Sequence, residues 1–262
     1  DALIEKAKEL INLMPVNNLA PLPMFEYNEP ETAVSADFNS LINGVCDAES
    51  IIELYAEFGK ASYTALATVN GATVGIAATN KTSDKLTDAD CSKLSRFIRT
   101  CDAFAVPVIT FVDTEGFDAA DAISGVKSMT QLANCYAEAT TAKISVITGK
   151  AVGPAFIALA GKDISSDFTY IWESACVSPL APLSAVEFLW HDKLKGAADV
   201  NAKRNELAEE YKATLASAES AAASGAVDEI ISASSTREAI ISALDILSSK
   251  RVTKLPKKHN NI

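Results

Sequence analysis

No stretch of this 262-residue chain holds the ~18–20 consecutive apolar residues that cross a bilayer. No signal peptide stands at its start, where DALIEKAKEL reads as an amphipathic helix instead. An initiator Met is missing too, as expected of a piece of a longer protein. Basic residues are outnumbered, 23 against 34 acidic, for a net charge of −11. A basic surface for nucleic acid or anionic lipid is therefore not expected. Histidine is scarce, with His191 and His259 alone. The five cysteines, Cys46, Cys91, Cys101, Cys135 and Cys176, are odd in number, and none lies two residues from another. A zinc site needs four clustered ligands, so no metal is expected. Free, mostly buried thiols in a reducing cytosol are the plain reading. No internal repeat is visible.

Apolar residues make up 48% of the chain, enough for a sizeable core in one large domain. Residues 2–13 place Leu3, Ile4, Ala7, Leu10 and Ile11 on one helical face. The Pro-rich segment 15–35 reads as an extended connector, and so as a boundary before the main body at 36–262. A short helix is expected over 36–42, with Ser35 as N-cap. Strands are expected at 51–55, 63–69 and 73–78, and Asn70-Gly71 between the last two signals a type I′ hairpin. Thr87 can cap a helix over 88–103. A strand at 106–112, a helix over 119–139, a strand at 143–147, a turn and helix, and a strand at 168–172 follow. That βαβαβ rhythm favours parallel strands with crossover helices. Short and long helices are expected at 184–190 and 200–216, a strand at 227–231, and a helix from Ser235 or Thr236 to Leu247. The basic residues of 250–258 are expected on the surface.

The stretch KAVGPAFIAL (150–159) is the most informative. Gly153 opens a turn after a strand-like run, and Ala155 to Leu159 start a helix. The first turn of a helix offers backbone N–H groups with no intrahelical partner. Such groups can hold a developing negative charge. Pro154 has no N–H to give.

Several segments together resemble the carboxyltransferase component of biotin-dependent acyl-CoA carboxylases and decarboxylases, in its C-terminal half. They are ELYAEFGK (53–60), VNGATVGIAA (69–78), RFIRTCDAFAVPVITFVDTEGF (96–117), YAEATTAKISVITGKAVGPAFIALAGK (136–162) and SAVEFLWHD (184–192). The final segment from SGAVDEII onward fits as well. LINLMPVNNLAP is similar to the closing helix and linker of the family's N-terminal half. The resemblance implies an α/β fold of the crotonase type, a ClpP/crotonase spiral of ββα units. It implies that this half binds biotin, presented as carboxybiotin on a biotin carboxyl carrier protein charged by a biotin carboxylase. A coenzyme A ester would be the other substrate, held mainly by an N-terminal carboxyltransferase half on another subunit of a homo-oligomer. The setting implied is cytoplasmic. By family position, Gly153, Pro154 and Ala155 form the catalytic turn, with Phe156 as its aromatic and Ile157 bordering the acyl pocket. Gly116 and Phe117, read with them as biotin- or substrate-binding, end the loop of the 106–112 strand, where open α/β folds often place ligands. The family's oxyanion hole uses the N–H groups of two positions that here are Pro154, which has none, and Ala155. Losing one such donor typically slows a reaction ~10²–10³-fold. The carboxylase and decarboxylase directions share this site, and a catalytically weak structural subunit is the third reading.

Each of these residues also has a structural reading. Gly153 can serve a tight turn alone. Ile157 reads equally as core or as a border of the acyl pocket. The family usually has Pro where Glu115 stands, and the loop after it is short. His191 reads as structural, Asp113 as a turn cap, and Cys135 as core. Glu53, Tyr55 and Phe58 are assigned to packing, and Glu209 and Glu210 to a wet helix face.

Overall fold

Helix α1 (Ala2–Leu13) turns most of its apolar stripe away from the core. Leu3, Ile4 and Ile11 are 82%, 57% and 69% exposed. Its C-terminal end alone is anchored, through buried Leu13 with Leu10 and Met14 alongside. The computed structural model describes residues 2–17, 20–118, 122–197 and 199–252. The connector that follows lies on the body: Phe25 donates its N–H to the Gly71 carbonyl at 2.8 Å. A Cβ at Gly71 would stand 2.3 Å from the Phe25 carbonyl oxygen, so the approach requires glycine.

Helix α2 (Phe38–Val45) starts later than expected. Asp37, not Ser35, is the N-cap, because its carboxylate accepts the Ser40 N–H at 3.0 Å. Strand β1 (Ile52–Glu53) is shorter than the expected 51–55, since Tyr55 adopts φ +57° and leaves the extended region. Strands β2 (Tyr63–Val69) and β3 (Ala72–Ala78) form the expected hairpin. Asn70 and Gly71 both take positive φ, 52° and 76°, as a type I′ turn requires. After β4 (Lys85–Leu86), Thr87 and Asp90 close a capping box at the head of α3 (Asp88–Ala103).

Strand β5 (Val108–Thr114) begins two residues later than expected. Val106 instead gives its N–H to Cys101 and finishes α3, and Pro107 has none to give. Then come β6 (Gly116–Phe117) and α4 (Ala122–Glu138). The expected helix start at 119–121 lies outside the described residues. Strand β7 (Lys143–Val152) runs five residues past its expected end. It feeds α5 (Pro154–Ala160), β8 (Phe168–Trp172) and β9 (Cys176–Ser178). The C-terminal part holds α6 (Pro182–Leu189), α7 (His191–Leu194), α8 (Val200–Thr214), α9 (Ala218–Ala223), β10 (Glu229–Ile231) and α10 (Thr236–Leu247). No pattern in the sequence announced α9.

Among the described residues the strands form one large sheet, ordered β1-β2-β3-β5-β7-β8-β10. From β3 onward every neighbour is parallel, as the βαβ rhythm predicts. Strand β9 pairs the far half of β7, and β4 pairs β6 in a small second sheet. Two strands and a helix recur as β2-β3-α3 (with the short β4 before the helix), β5-β6-α4 and β8-β9-α6, while β7-α5 carries one strand. This is the crotonase-type α/β spiral. Strands β2 and β5 are buried almost throughout, as covered central strands are. A separate small core joins α6, α7 and α8 through Ala185, Val186, Leu207 and Tyr211. No helix among the described residues is long and apolar enough to cross a membrane.

Candidate active site

The second half of β7 aims the chain at the Gly153 turn, and Asp113 holds it there. The Asp113 carboxylate accepts the Lys150 N–H at 2.8 Å and the Asn80 side-chain amide at 2.6 Å. The β5–β7 register shifts beside it, between Val112 and Thr114. Gly149 makes room, since a Cβ there would stand 2.4 Å from the Asp113 carboxyl carbon. Asp113 is therefore spent on backbone geometry and is not placed as an acid or base. Lys150 in turn pairs with Glu115 at 2.6 Å and stands 3.7 Å from Asp84. The Glu115 hydrogen bond raises the Lys150 pKa. Where the family usually carries proline, this chain carries one end of a salt bridge between the β5–β6 loop and β7.

Gly153 sits at φ +61°, ψ −136°, outside the regions open to other residues, and is the N-cap of α5. Its N–H goes to the Ser178 carbonyl at 2.7 Å. Pro154 follows at the first helical position, where a missing N–H costs the helix nothing. The Phe156 N–H turns back to the Gly153 carbonyl at 3.2 Å. That leaves Ala155, whose N–H at the second helical position has no intrahelical acceptor. Ala155 is fully buried, while Pro154 beside it is exposed. Among the described residues, the turn thus has one uncommitted backbone donor, on the buried Ala155.

The other expected residues gather here. Gly116 lies against the end of β7, its Cβ position 3.8 Å from the Val152 carbonyl oxygen, and α5 packs against β6. Phe117 and Phe156 are half-buried and pack on the main core. Ile157 is 54% exposed and is not a core residue. Leu180, Leu183 and Phe188, around the start and along the length of α6, are exposed apolar residues as well.

Residues 2–262 match the family model for the carboxyl transferase domain. The chain belongs to the carboxyl transferase family. Among curated relatives, the carboxyltransferase subunit of propionyl-CoA carboxylase from Haloferax mediterranei is 33% identical over 99% of this chain and 54% of its own length. Methylmalonyl-CoA decarboxylase subunit alpha from Propionigenium modestum is 31% identical over 100% of this chain and 54% of its own. The crystal structure of transcarboxylase 12S, described as a hexamer and solved with methylmalonyl-coenzyme A, superposes with a TM-score of 0.89. Its identity is 30%, over 98% of this chain and 53% of that one. The chain spans about half the length of the curated relatives it matches.

Within this carboxyl transferase chain, several residues fall away from the site. His191 is exposed at the start of α7 and meets no described partner. Cys135 is buried, and Glu209 and Glu210 form exposed pairs with Lys212 and Lys193. Tyr55 and Phe58, assigned to packing, are instead exposed, and Glu53 is half-exposed in a pair with Lys81. Lys250, expected on the surface, is half-buried and pairs with Asp167 at 2.7 Å; the basic residues after Arg251 lie outside the described residues. Ser178 escaped the sequence reading. Its carbonyl fixes Gly153 and its hydroxyl meets the Tyr211 hydroxyl at 3.0 Å, tying the turn to the small core. No motif marks it, because its part depends on the β7–β9 pairing.

Proposed function

We propose that this chain is the biotin-side half of an acyl-CoA carboxyltransferase, incomplete without an N-terminal half. The observation that carries this reading is the Gly153-Pro154-Ala155 turn at the head of α5, in a family whose relatives act on propionyl- and methylmalonyl-CoA. The substrates are a carboxyl group on carrier-borne biotin and a short acyl-CoA. Transfer moves the carboxyl to the acyl α-carbon and leaves the α-proton on the biotin side. The protein's part is to hold both and to stabilise the oxyanion that develops, for which oriented backbone N–H groups suffice.

The residues present supply one such group, from Ala155. Gly153 shapes the turn and Ile157, with Leu180, forms an apolar rim. Gly116 and Phe117 form the adjoining wall. The partners are a biotin carboxyl carrier protein, a biotin carboxylase and further copies of this chain in a cytoplasmic complex. Residues 1–35 act as the closing helix and linker of the preceding half, and the open apolar stripe of α1 is the surface that half covers. The decarboxylase direction stands beside this reading, because relatives of both kinds match at 33% and 31% identity.

The test is reconstitution. The chain, an N-terminal half, biotin carrier, biotin carboxylase and ATP are mixed with labelled bicarbonate and a panel of acyl-CoA esters. Label in a short acyl-CoA product supports the reading. No transfer in either direction with an assembled complex overturns it in favour of a structural subunit.

A further inference from the structure

A cleft of about 330 Å³ opens on the face of α3, with Gln131 of α4 in its wall. None of its lining residues belongs to the Gly153 turn. Its volume is at the lower end of small-molecule sites, which run to roughly 300–1,000 Å³. Three observations mark it as built to receive something.

The first is charge. Lys93, Arg96 and Arg99 recur every third residue along α3 and all line the cleft, in a chain whose net charge is −11. Lys93 is 1% exposed. Two of its N–H groups go to the Ser62 carbonyl at 2.8 Å and the Gly59 carbonyl at 3.3 Å. No carboxylate forms a salt bridge with it among the described residues. Arg96 is exposed and pairs with no described residue. The charges of Glu53 and Asp90 offset part of the desolvation of Lys93, and an incoming anion adds to them.

The second is an orphan. The Ser95 hydroxyl lines the same cleft, is buried, and has no hydrogen-bond partner. Buried polar atoms are otherwise satisfied. The third is strain. Tyr55 holds φ +57°, a sparsely populated conformation for a bulky residue, and the residue remains 44% exposed where it lines the cleft. Phe58, 52% exposed, stands beside it. Neither ring packs into the main core, where an aromatic side chain would bury the most area.

Two flat rings and two guanidiniums, over a buried ammonium and an unpaired hydroxyl, suit one ligand chemistry. We propose that this cleft binds an adenine nucleotide, its base against Tyr55 and Phe58 and its phosphates against Arg96 and Arg99. Guanidinium forks match phosphate oxygens in pairs, and Ser95 supplies a further donor. The ligand comes either as free ADP or ATP, or as the nucleotide end of coenzyme A. The proposal does not depend on carboxyl transfer.

Isothermal titration of the chain with ADP, coenzyme A, adenosine and pyrophosphate tests it. ADP or coenzyme A binds, and adenosine and pyrophosphate each bind at least about tenfold more weakly, a difference of roughly 1.4 kcal/mol. Whichever of the first two is tighter names the source. Arg96→Gln and Phe58→Ala, both at exposed positions, each weaken binding about tenfold or more without lowering the melting temperature. The proposal is overturned if neither nucleotide binds at millimolar concentration, or if pyrophosphate binds as well as ADP. It is equally overturned if Arg96→Gln changes the oligomeric state and leaves nucleotide affinity alone.

Discussion

Arg237 Nη2 donates to Asp47 Oδ1 at 2.6 Å, joining residues 190 positions apart. The pair locks α10 onto the loop before the first hairpin. Asp47 is 1% exposed, and it also accepts from the Thr68 hydroxyl and from the N–H groups of Asn70 and Gly71. Arg237 reaches the Val45 carbonyl and lies over the Tyr27 ring. Removing one partner strands the other. Arg237→Met is expected to cost about 3–5 kcal/mol, read as a fall in the denaturant midpoint. A loss below about 1 kcal/mol would mean the pair is solvated like a surface bridge.

The same carboxylate sets a pH dependence. Burial by itself raises the Asp47 pKa, but the Arg237 guanidinium and the three donors from Thr68, Asn70 and Gly71 outweigh it. The carboxyl is held below its ordinary range. A depressed folded-state pKa gives stability that is fully present above the unfolded value of about 3.9 and is lost as pH falls through the folded value. Asp47→Asn should therefore be less stable at pH 7, and the gap to the parent protein should narrow below about pH 4. Thermal unfolding across pH 2–7 checks this; a gap that stays constant refutes the assignment.

At the candidate site, Pro154 and Gly153 make opposite predictions. Pro154→Gly adds a second N–H to the proposed oxyanion turn and should raise the transfer rate, by up to ~10²–10³-fold if that N–H reaches the oxyanion. An unchanged rate in the reconstituted complex removes the oxyanion role from this position. Gly153→Ala meets only ordinary van der Waals contact, with the Pro179 carbonyl oxygen at 3.4 Å. Its backbone conformation is the obstacle. The expected cost is about 1–3 kcal/mol of stability, together with loss of transfer.

How far these features could be read beforehand follows from their range in sequence. The hairpin at Asn70-Gly71 and the capping box at Thr87 are local, set by residues within three positions of one another, and both stand as expected. The start of β5 was misplaced by two residues because Val106 answers to Cys101 in the preceding helix. The length of β7 escaped because its last three residues owe their extended form to β9, some 25 residues on. The open face of α1 escaped for a simpler reason. Periodicity reports that a helix has an apolar side, not what that side meets. At the site, the Gly153 turn was legible from its own residues and the family pattern. The Asp113–Gly149 contact and the Ser178 carbonyl, which hold it, were not.

That contact gives a cycle to measure. Gly149→Ala pushes a methyl group into the Asp113 carboxylate and should cost about 1–3 kcal/mol as overpacking. Asp113→Ala should cost a similar amount by releasing the Lys150 N–H and the Asn80 amide. The double variant removes the clash together with the carboxylate. Its loss should fall short of the sum of the single losses by at least about 0.5 kcal/mol. Strict additivity would show that Gly149 and Asp113 act independently.

The thiols offer a last check on the packing around β7 and β9. Cys46, Cys91, Cys101 and Cys135 are buried, and Cys176 at the start of β9 is partly open. Burial pushes Cys46 and Cys91 up to about 12 and raises Cys101 and Cys176 as well. The thiolate is the reactive form, so a raised pKa and a closed site both slow alkylation. At Cys176 the Lys212 and Lys150 charges pull the other way, and the site is partly accessible. Iodoacetamide at pH 8 should therefore label Cys176 first, with the other four reacting only at the rate of unfolding. Peptide mapping after timed quenching reads the order directly. Early labelling of Cys91 or Cys101 would mean that α3 opens locally, and would count against the well-packed helix that carries the Arg96 cleft.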